Sequence, residues 1–252
     1  MGIHPVIGVD VGGSGVKAAL VDVERGELVS DRPRLETPQP ATPDRVAHTV
    51  AQLVDGLGGS SVIGVTVPGV VSTGVVRTAA NIDSTWIGMD ACGLFSKQLG
   101  VPCTVINDAD AAGLAEMRFG AGRGRDGVAI MVTLGTGIGS AVFVDGNLVP
   151  NTELGHLEFK GQVAEHYAAA AVRKAQHLTW EQWGRRVGHY LTMLTTLFSP
   201  ELIVVGGGVS RKFDRFADEI AALVPTNTEV VPAALQNKAG IVGAALVAAG
   251  DR

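Results

Sequence analysis

Short apolar runs separated by glycine-rich loops dominate the start of the chain. The stretch "IGVDVGGSGVKAALVD", Ile7 to Asp22, consists of two apolar runs with four glycines, and "ERGELV" follows it as a turn and a further strand. Because the second run ends at Asp22 without helical periodicity, the pattern predicts a β-hairpin rather than a strand followed by a helix. Dinucleotide-binding loops and P-loops need that helix, so both are excluded. A tight turn that needs positive φ remains the simple alternative.

A second stretch repeats this pattern. "MVTLGTGIGSAVFVDG", Met131 to Gly146, aligns with the first stretch without a gap at an offset of 123 (145 minus 22), and Gly135 matches Gly12. Two such hairpins about half a chain apart predict a duplicated domain in which each half presents backbone N–H groups to phosphate. Chance similarity of two glycine hairpins remains the alternative.

Strands alternate with helices between the two hairpins. Thr42 and Pro43 mark a helix start as N-cap and first helical residue. "SVIGVTVPG" is a buried strand, and "VPCTVINDADAAGLAEMRFG" is a strand that continues through Asn107 and Asp108 into a helix. This alternation predicts an α/β protein whose sheet has parallel members and covered faces.

The second half continues the same architecture. Thr179 and Gln182 form a capping box at the start of a helix that Ser199 and Pro200 end. One face of this helix is apolar and predicts a core or subunit contact: Trp183, Val187, Tyr190, Leu191, Leu194, Leu197 and Phe198. "ELIVVGGGVS" then gives a strand with a third glycine loop, and "NKAGIVGAALVAAG" gives a helix of small residues that can pack closely. We expect two domains, 1–108 plus 238–252 and 109–237.

Composition narrows the classes of partner. Aromatic residues make up only 5% of the 252 residues and the net charge is -5, which disfavours nucleic acids and anionic membranes as partners. Only Cys92 and Cys103 occur, without zinc-ligand spacing, and the first residues lack the pattern of a signal peptide. We therefore expect a protein of the reducing cytoplasm with no membrane-spanning segment.

Two short segments carry candidate chemistry. Asn107 and Asp108 lie where a strand ends and a helix begins, the usual place for ligand-binding groups in open α/β sheets, although Asp108 as a helix N-cap is an equal alternative. Glu153 and His156 follow the second hairpin, three residues apart. Carboxylate, amide and imidazole groups suit a polyhydroxyl ligand, because each hydroxyl needs a donor or acceptor. Glu153 and His156 could instead be half of a metal site or a pair on the surface. Of these two alternatives, the metal site is the weaker.

With these motifs in order, the chain resembles the ROK group (repressors, open reading frames, kinases) of sugar kinases. "DVGGSGVK" looks like its first phosphate loop, "TLGTGIGS" its second, "NDADAAGLAE" its catalytic segment, "ELGH" its sugar motif and "VVGGGVS" the loop near the adenosine in ATP users. The resemblance implies a duplicated actin-like ATPase (ribonuclease H-like) fold, with two α/β domains around a cleft.

One departure points to a branch of this group. The clustered cysteines of its usual zinc motif are absent, and the shortened segment "LEFKGQVAEHYAAAAVRKAQHLTWEQWGRRVGHY" stands in their place. This segment is similar to that of polyphosphate glucokinases, as are "TPQPATP" and "LFSPELIVVGGGVS". We expect no zinc, and no repressor activity, because the repressors need an added DNA-binding domain.

The resemblance also implies roles for residues. Asp108 would be the general base for the C6 hydroxyl of glucose. The other glucose-binding residues would be Asn81, Asn107, Glu153, His156 and Glu165. Glu158 is the alternative to Glu165 as the last glucose-binding residue. Asn81 could equally well be a residue that caps a loop.

Phosphate groups would meet the glycine loops. The candidates are Gly12, Gly13, Ser14, Lys17, Gly135, Thr136, Gly137 and Gly207. Asp10 would position Mg²⁺ through water, unless it is only a turn aspartate. Lys17 would instead face solvent if its strand alternation points it outward.

We expect inorganic polyphosphate as donor, with ATP as a second donor, in a homodimer. A chain of phosphates has no base or ribose to bury, so a series of cations would suffice to bind it. Two pairs of cations lie beside glycine loops: Arg123 and Arg125 precede the second loop, and Arg211 and Lys212 follow the third. Solvated surface is the simpler interpretation of each of these residues. The alternatives are a strictly ATP-dependent hexokinase of other sugar preference and a non-catalytic sugar-binding regulator.

Overall fold

The computed structural model describes residues 5–79 and 82–250, so Asn81 lies outside the described residues. The strands are β1 (Val6–Gly12), β2 (Gly15–Asp22), β3 (Glu27–Leu28), β4 (Arg34–Leu35), β5 (Ile63–Val67), β6 (Val71–Ser72), β7 (Val75–Val76), β8 (Cys103–Asn107), β9 (Val128–Leu134), β10 (Ile138–Val144), β11 (Asn147–Val149), β12 (Glu158–Phe159), β13 (Gln162–Val163), β14 (Leu202–Gly206) and β15 (Glu229–Pro232). The helices are α1 (Pro43–Asp55), α2 (Ala91–Leu99), α3 (Asp108–Phe119), α4 (Ala164–Ala168), α5 (Ala170–Ala175), α6 (Trp180–Phe198), α7 (Ala217–Ala221) and α8 (Ala239–Ala248).

The chain forms two compact units. Unit 1 contains residues 1–115 and 238–252, and unit 2 contains residues 116–237. The division falls inside α3, whereas the sequence places the domain boundary after Asp108, at the first residue of that helix. The difference arises because the first residues of α3 pack on α8, which belongs to unit 1. The two helices are so close that a Cβ atom on Gly243 would lie 1.8 Å from the carbonyl oxygen of Ala111.

Both units contain a sheet of the same topology. The strand order is β3-β2-β1-β5-β8 in unit 1, where β4 also pairs with β2, and β11-β10-β9-β14-β15 in unit 2. In each sheet the first hairpin is antiparallel, and its inner strand continues into a parallel pair of strands. Both predicted glycine hairpins are therefore confirmed, and the two sheets match as a duplication requires.

The sheet of unit 1 has two different faces. Ile7, Val9 and Val11 of β1 are buried in one core with residues of α1 and α2. On β1 and β5, Gly8 and Gly64 lie under α8, where a Cβ atom would come within 2.0 Å of the Ile241 oxygen and 1.8 Å of the Ala244 oxygen. The prediction that this helix of small residues packs closely is confirmed.

Helix α6 crosses the core of unit 2. The predicted capping box of Thr179 and Gln182 is present at its start. Trp183 and Tyr190 are fully buried and form the core part of the predicted apolar face, whereas Leu197 and Phe198 are 59% and 36% exposed, so of the two predicted roles only a subunit contact fits them. They lie in the last turn, beyond the part of the helix that the sheet covers. At α1, Thr42 is the N-cap as predicted, although its side chain makes no capping hydrogen bond.

Candidate functional site

The junction of β8 and α3 separates the roles of two adjacent polar residues. Asn107 is buried, and its Oδ1 accepts hydrogen bonds from the N–H groups of Ala109 (2.8 Å) and Asp110 (3.0 Å), while its Nδ2 donates to the Gly69 oxygen (3.1 Å). Asn107 therefore caps α3, and the alternative that Asp108 is the N-cap is wrong. Asp108 is the first residue of the helix and is partly exposed at the carboxyl end of the strand.

The first glycine hairpin carries a cation that sequence reasoning missed. Gly13 and Ser14 connect β1 to β2, and Arg34 Nη2 donates to the Ser14 oxygen at 2.7 Å. Arg34 lies on β4 opposite Lys17 of β2. No local pattern identifies Arg34, because its position depends on the pairing of β4 with a strand earlier in the chain.

Asp10 and Lys17 face each other across the same hairpin. Lys17 Nζ lies 2.9 Å from Asp10 Oδ2, and the Thr66 hydroxyl donates to Asp10 Oδ1 at 3.3 Å. The ion pair holds Lys17 against the protein beside the loop, which favours the predicted contact with phosphate over the alternative that the side chain extends into solvent. A single carboxylate beside a phosphate-type loop fits Mg²⁺, which keeps several waters and binds proteins through one or two carboxylates together with substrate phosphates.

The second glycine hairpin is closed by its own backbone. The Gly135 N–H donates to the Gly137 oxygen at 3.0 Å, and the Gly135 oxygen accepts from the Ala171 N–H at 3.0 Å. The Gly135 N–H is thus engaged inside the loop, which leaves Thr136 and Gly137 to present theirs. A Cβ atom on Gly137 would lie 2.3 Å from Glu165 Oε2, so a side chain would displace that carboxylate.

A carboxylate–imidazole–carboxylate cluster lies next to this hairpin. His156 Nδ1 is 3.9 Å from Glu153 Oε2, and His156 Nε2 is 3.9 Å from Glu165 Oε1. Glu165 also reaches the hairpin, since its Oε2 accepts from the Ile138 N–H at 3.4 Å. Glu158 is exposed on β12, so the geometry favours Glu165 as the third member of the cluster.

The cluster is only partly screened from solvent. Burial raises the pKa of Glu153 above its usual value, His156 opposes this in part, and Glu165 adds to it. Because two acceptors flank an imidazole, the cluster can hydrogen-bond several adjacent hydroxyl groups.

Within 5–79 and 82–250, no three His, Cys, Asp or Glu side chains are arranged to hold a metal ion. Burial also raises the pKa of the Cys103 thiol to about 11.

The third glycine loop packs on the second. Gly207 has a φ of +80°, and a Cβ atom there would lie 2.4 Å from the Leu134 oxygen, at the end of β9. Of the four cations predicted to bind polyphosphate, Arg123, Arg211 and Lys212 are exposed. Arg125 is bound to Glu229 at 2.6 Å. This exposed ion pair competes with an anionic ligand for Arg125, whose role in binding polyphosphate stays a prediction.

Two units of equal sheet topology, each opening with a glycine hairpin, define the actin-like ATPase fold. The model of the ROK family matches residues 6–168 and 166–250. The chain therefore belongs to the ROK family.

No helix in the described part of the chain is long and apolar enough to cross a bilayer.

Relatives within the family cover nearly the whole chain. The polyphosphate glucokinase of Mycobacterium tuberculosis is 51% identical over 245 residues, which are 97% of this chain and 91% of that protein. The crystal structure of inorganic polyphosphate/ATP-glucomannokinase from Arthrobacter sp. strain KM is similar with a TM-score of 0.91 and 47% identity, over 98% of this chain and 99% of that one. A ROK family glucokinase from Streptomyces griseus, in complex with glucose and AMPPNP, has a TM-score of 0.85 and 28% identity over 98% and 99% of the two chains.

Proposed function

We propose that this protein is a glucokinase that transfers a phosphoryl group from inorganic polyphosphate, with ATP as a second donor, to the C6 hydroxyl of glucose. The observation that carries the proposal is the position of Glu165, which contacts both the second glycine hairpin and His156. Hydroxyl-binding groups and a phosphate-type loop thus adjoin in unit 2. The similarity to the Mycobacterium and Arthrobacter enzymes supports the choice of sugar and donor.

The proposed reaction needs a base and an ordered sugar. Asp108 accepts the proton of the C6 hydroxyl as that oxygen attacks the terminal phosphorus and the remaining phosphate chain leaves. Glu153, His156 and Glu165 bind the ring hydroxyls. Asn107 fixes the start of α3 and hence the backbone at Asp108, and the Nδ2 hydrogen that does not bond to Gly69 remains for the sugar.

The charge of the donor is met by the first hairpin. Lys17 and Arg34 lie beside Gly13 and Ser14. Asp10 would hold Mg²⁺, through water. The ion, when bound, would neutralise charge on the transferring phosphoryl group.

We further propose a cytoplasmic homodimer. The exposed Leu197 and Phe198 at the end of α6 support a subunit contact, and the low cysteine count of the chain, Cys92 and Cys103, suits a reducing compartment.

A panel of phosphoryl donors tests this function. With glucose and Mg²⁺, we expect glucose 6-phosphate from polyphosphate and, at a lower rate, from ATP. If polyphosphate neither reacts nor competes with ATP, the strictly ATP-dependent hexokinase replaces the proposal. If no donor gives product although glucose binds, the protein is a sugar-binding regulator.

The raised pKa of Glu153 predicts a pH dependence of glucose binding. As the pH falls through this pKa, the carboxylate becomes a neutral acid and a weaker acceptor, so the glucose KM should rise. Because the folded-state pKa exceeds the unfolded-state value, stability tied to this group is fully present below the unfolded pKa and is lost as the pH rises through the folded pKa. Glu153→Gln cannot ionise and should melt at a higher temperature than wild type at neutral pH.

The matched control for this experiment is Glu158→Gln. Glu158 is a nearby but exposed carboxylate, so its variant should keep the wild-type pH profile and melting temperature. Glucose KM and thermal midpoints, measured from acid to neutral pH, distinguish the two variants. A Glu153→Gln enzyme that retains the acidic rise in KM would assign that rise to another group.

A further inference from the structure

Three cations surround one indole ring on the surface of unit 2. Arg173 Cζ lies 4.0 Å from the centroid of the Trp180 ring, Lys212 Nζ lies 5.8 Å from it and Arg215 Cζ lies 5.9 Å from it. The ring of Phe216 runs parallel to Trp180, with 5.8 Å between centroids and 12° between planes. We call Trp180 with Arg173, Lys212 and Arg215 the Trp180 patch.

The charges of this patch are not balanced by carboxylates. Two arginines elsewhere in unit 2 form ion pairs, Arg125 with Glu229 and Arg185 with Glu219. Among the described residues, no carboxylate lies within 4.0 Å of a cationic nitrogen of the patch. The ring face offsets part of the mutual repulsion of the cations. An acidic protein with a net charge of -5 thus gathers three cations around one ring.

Both segments that carry these cations contact the second glycine hairpin near their first residues. Helix α5 carries Arg173, and the Ala171 N–H near its start donates to the Gly135 oxygen at 3.0 Å. A helix rises about 1.5 Å per residue, so Arg173 lies within a turn of the hairpin. The segment with Lys212 and Arg215 follows Gly207, which packs on Leu134 at the end of β9, immediately before the loop of the hairpin.

We propose that the Trp180 patch binds the outer phosphates of a polyphosphate chain whose terminal phosphate lies at the second hairpin. This inference rests on the proposed donor. A linear chain of anions matches three cations that form no ion pair within the described residues and that lie on segments in contact with a phosphate-type hairpin. The patch adds Arg173 and Arg215 to Lys212, which the sequence analysis already places among the residues expected to bind the donor.

The test compares donors of different length. Lys212→Gln combined with Arg215→Gln should raise the KM for long-chain polyphosphate about tenfold and make its salt dependence shallower. The KM values for tripolyphosphate, ATP and glucose should remain within about twofold of wild type, because these substrates do not extend to the patch. Calorimetric titration with long-chain polyphosphate in the absence of glucose should show the same loss of affinity.

The matched control is Arg25→Gln combined with Lys97→Gln, which removes the same charge from exposed positions of unit 1. This control should behave as wild type with every donor. If wild type uses long-chain polyphosphate and the patch variant has an unchanged KM and salt dependence, the patch assignment is overturned while the proposed function stands. An equal rise in KM for ATP and tripolyphosphate also overturns it. If wild type neither uses nor binds polyphosphate, the proposed function falls together with the patch.

Discussion

Replacing Asp108 with asparagine should lower kcat by about 10²- to 10⁴-fold, the usual contribution of a positioned general base, while glucose still binds. The amide cannot accept the proton of the C6 hydroxyl, but it has nearly the same shape as the carboxylate. Because Asn107 makes the capping bonds of α3, the substitution should leave the start of the helix intact. Steady-state kinetics with polyphosphate and with ATP, together with calorimetric binding of glucose, measure the effect.

The control for this variant is Asp44→Asn. Asp44 is also an acidic residue in the first turn of a helix, so both variants lose a similar favourable interaction with the helix dipole, about 0.3 to 1 kcal/mol. Asp44→Asn should therefore show the same small loss of stability with normal turnover. An Asp108→Asn enzyme with near wild-type kcat and an intact fold would show that Asp108 is not the base.

The sequence predicts features that depend on neighbouring residues. Both glycine hairpins, the capping box of Thr179 and Gln182 and the end of α6 at Ser199 are local patterns, and each is present. The choice between Asn107 and Asp108 as N-cap was not predictable, because both side chains can cap a helix. In the structure, the hydrogen bonds from the Ala109 and Asp110 N–H groups to Asn107 Oδ1 decide between them.

Contacts between distant parts of the chain explain what the sequence did not predict. Arg34 reaches Ser14 through the pairing of β4 with β2, and Arg125 is neutralised by Glu229, 104 residues later. Glu116 is buried, and its carboxylate accepts from the N–H groups of Ala121, Ala234 and Leu235. In the sequence Glu116 is only one more polar residue of a helix, since its partners come from segments that the fold brings to it.

Replacing Gly64 with alanine should destabilise the protein by about 3 kcal/mol or more, the upper range for overpacking a core. Gly64 lies on β5 between two parallel strands, and a Cβ atom there would be 1.8 Å from the Ala244 oxygen and 2.3 Å from the Ala244 carbon. These atoms belong to the backbone of α8 and cannot rotate away as a side chain would. The helix must move off the sheet, and the urea midpoint of unfolding should fall accordingly.

Gly59→Ala is the matched control, because Gly59 is exposed and a Cβ atom there would meet no atom within 4 Å. This variant should stay within about 0.5 kcal/mol of wild type, as surface substitutions usually do. A Gly64→Ala protein with the wild-type urea midpoint would contradict the packing of α8 on β5. The displacement should also affect activity, because the first turn of α8 approaches the residue proposed to hold Mg²⁺: a Cβ atom on Gly240 would lie 3.1 Å from Asp10 Oδ1. We therefore expect the fraction of Gly64→Ala that remains folded to need more Mg²⁺ for half-maximal turnover than Gly59→Ala, so the glycines under α8 serve the site as well as the core.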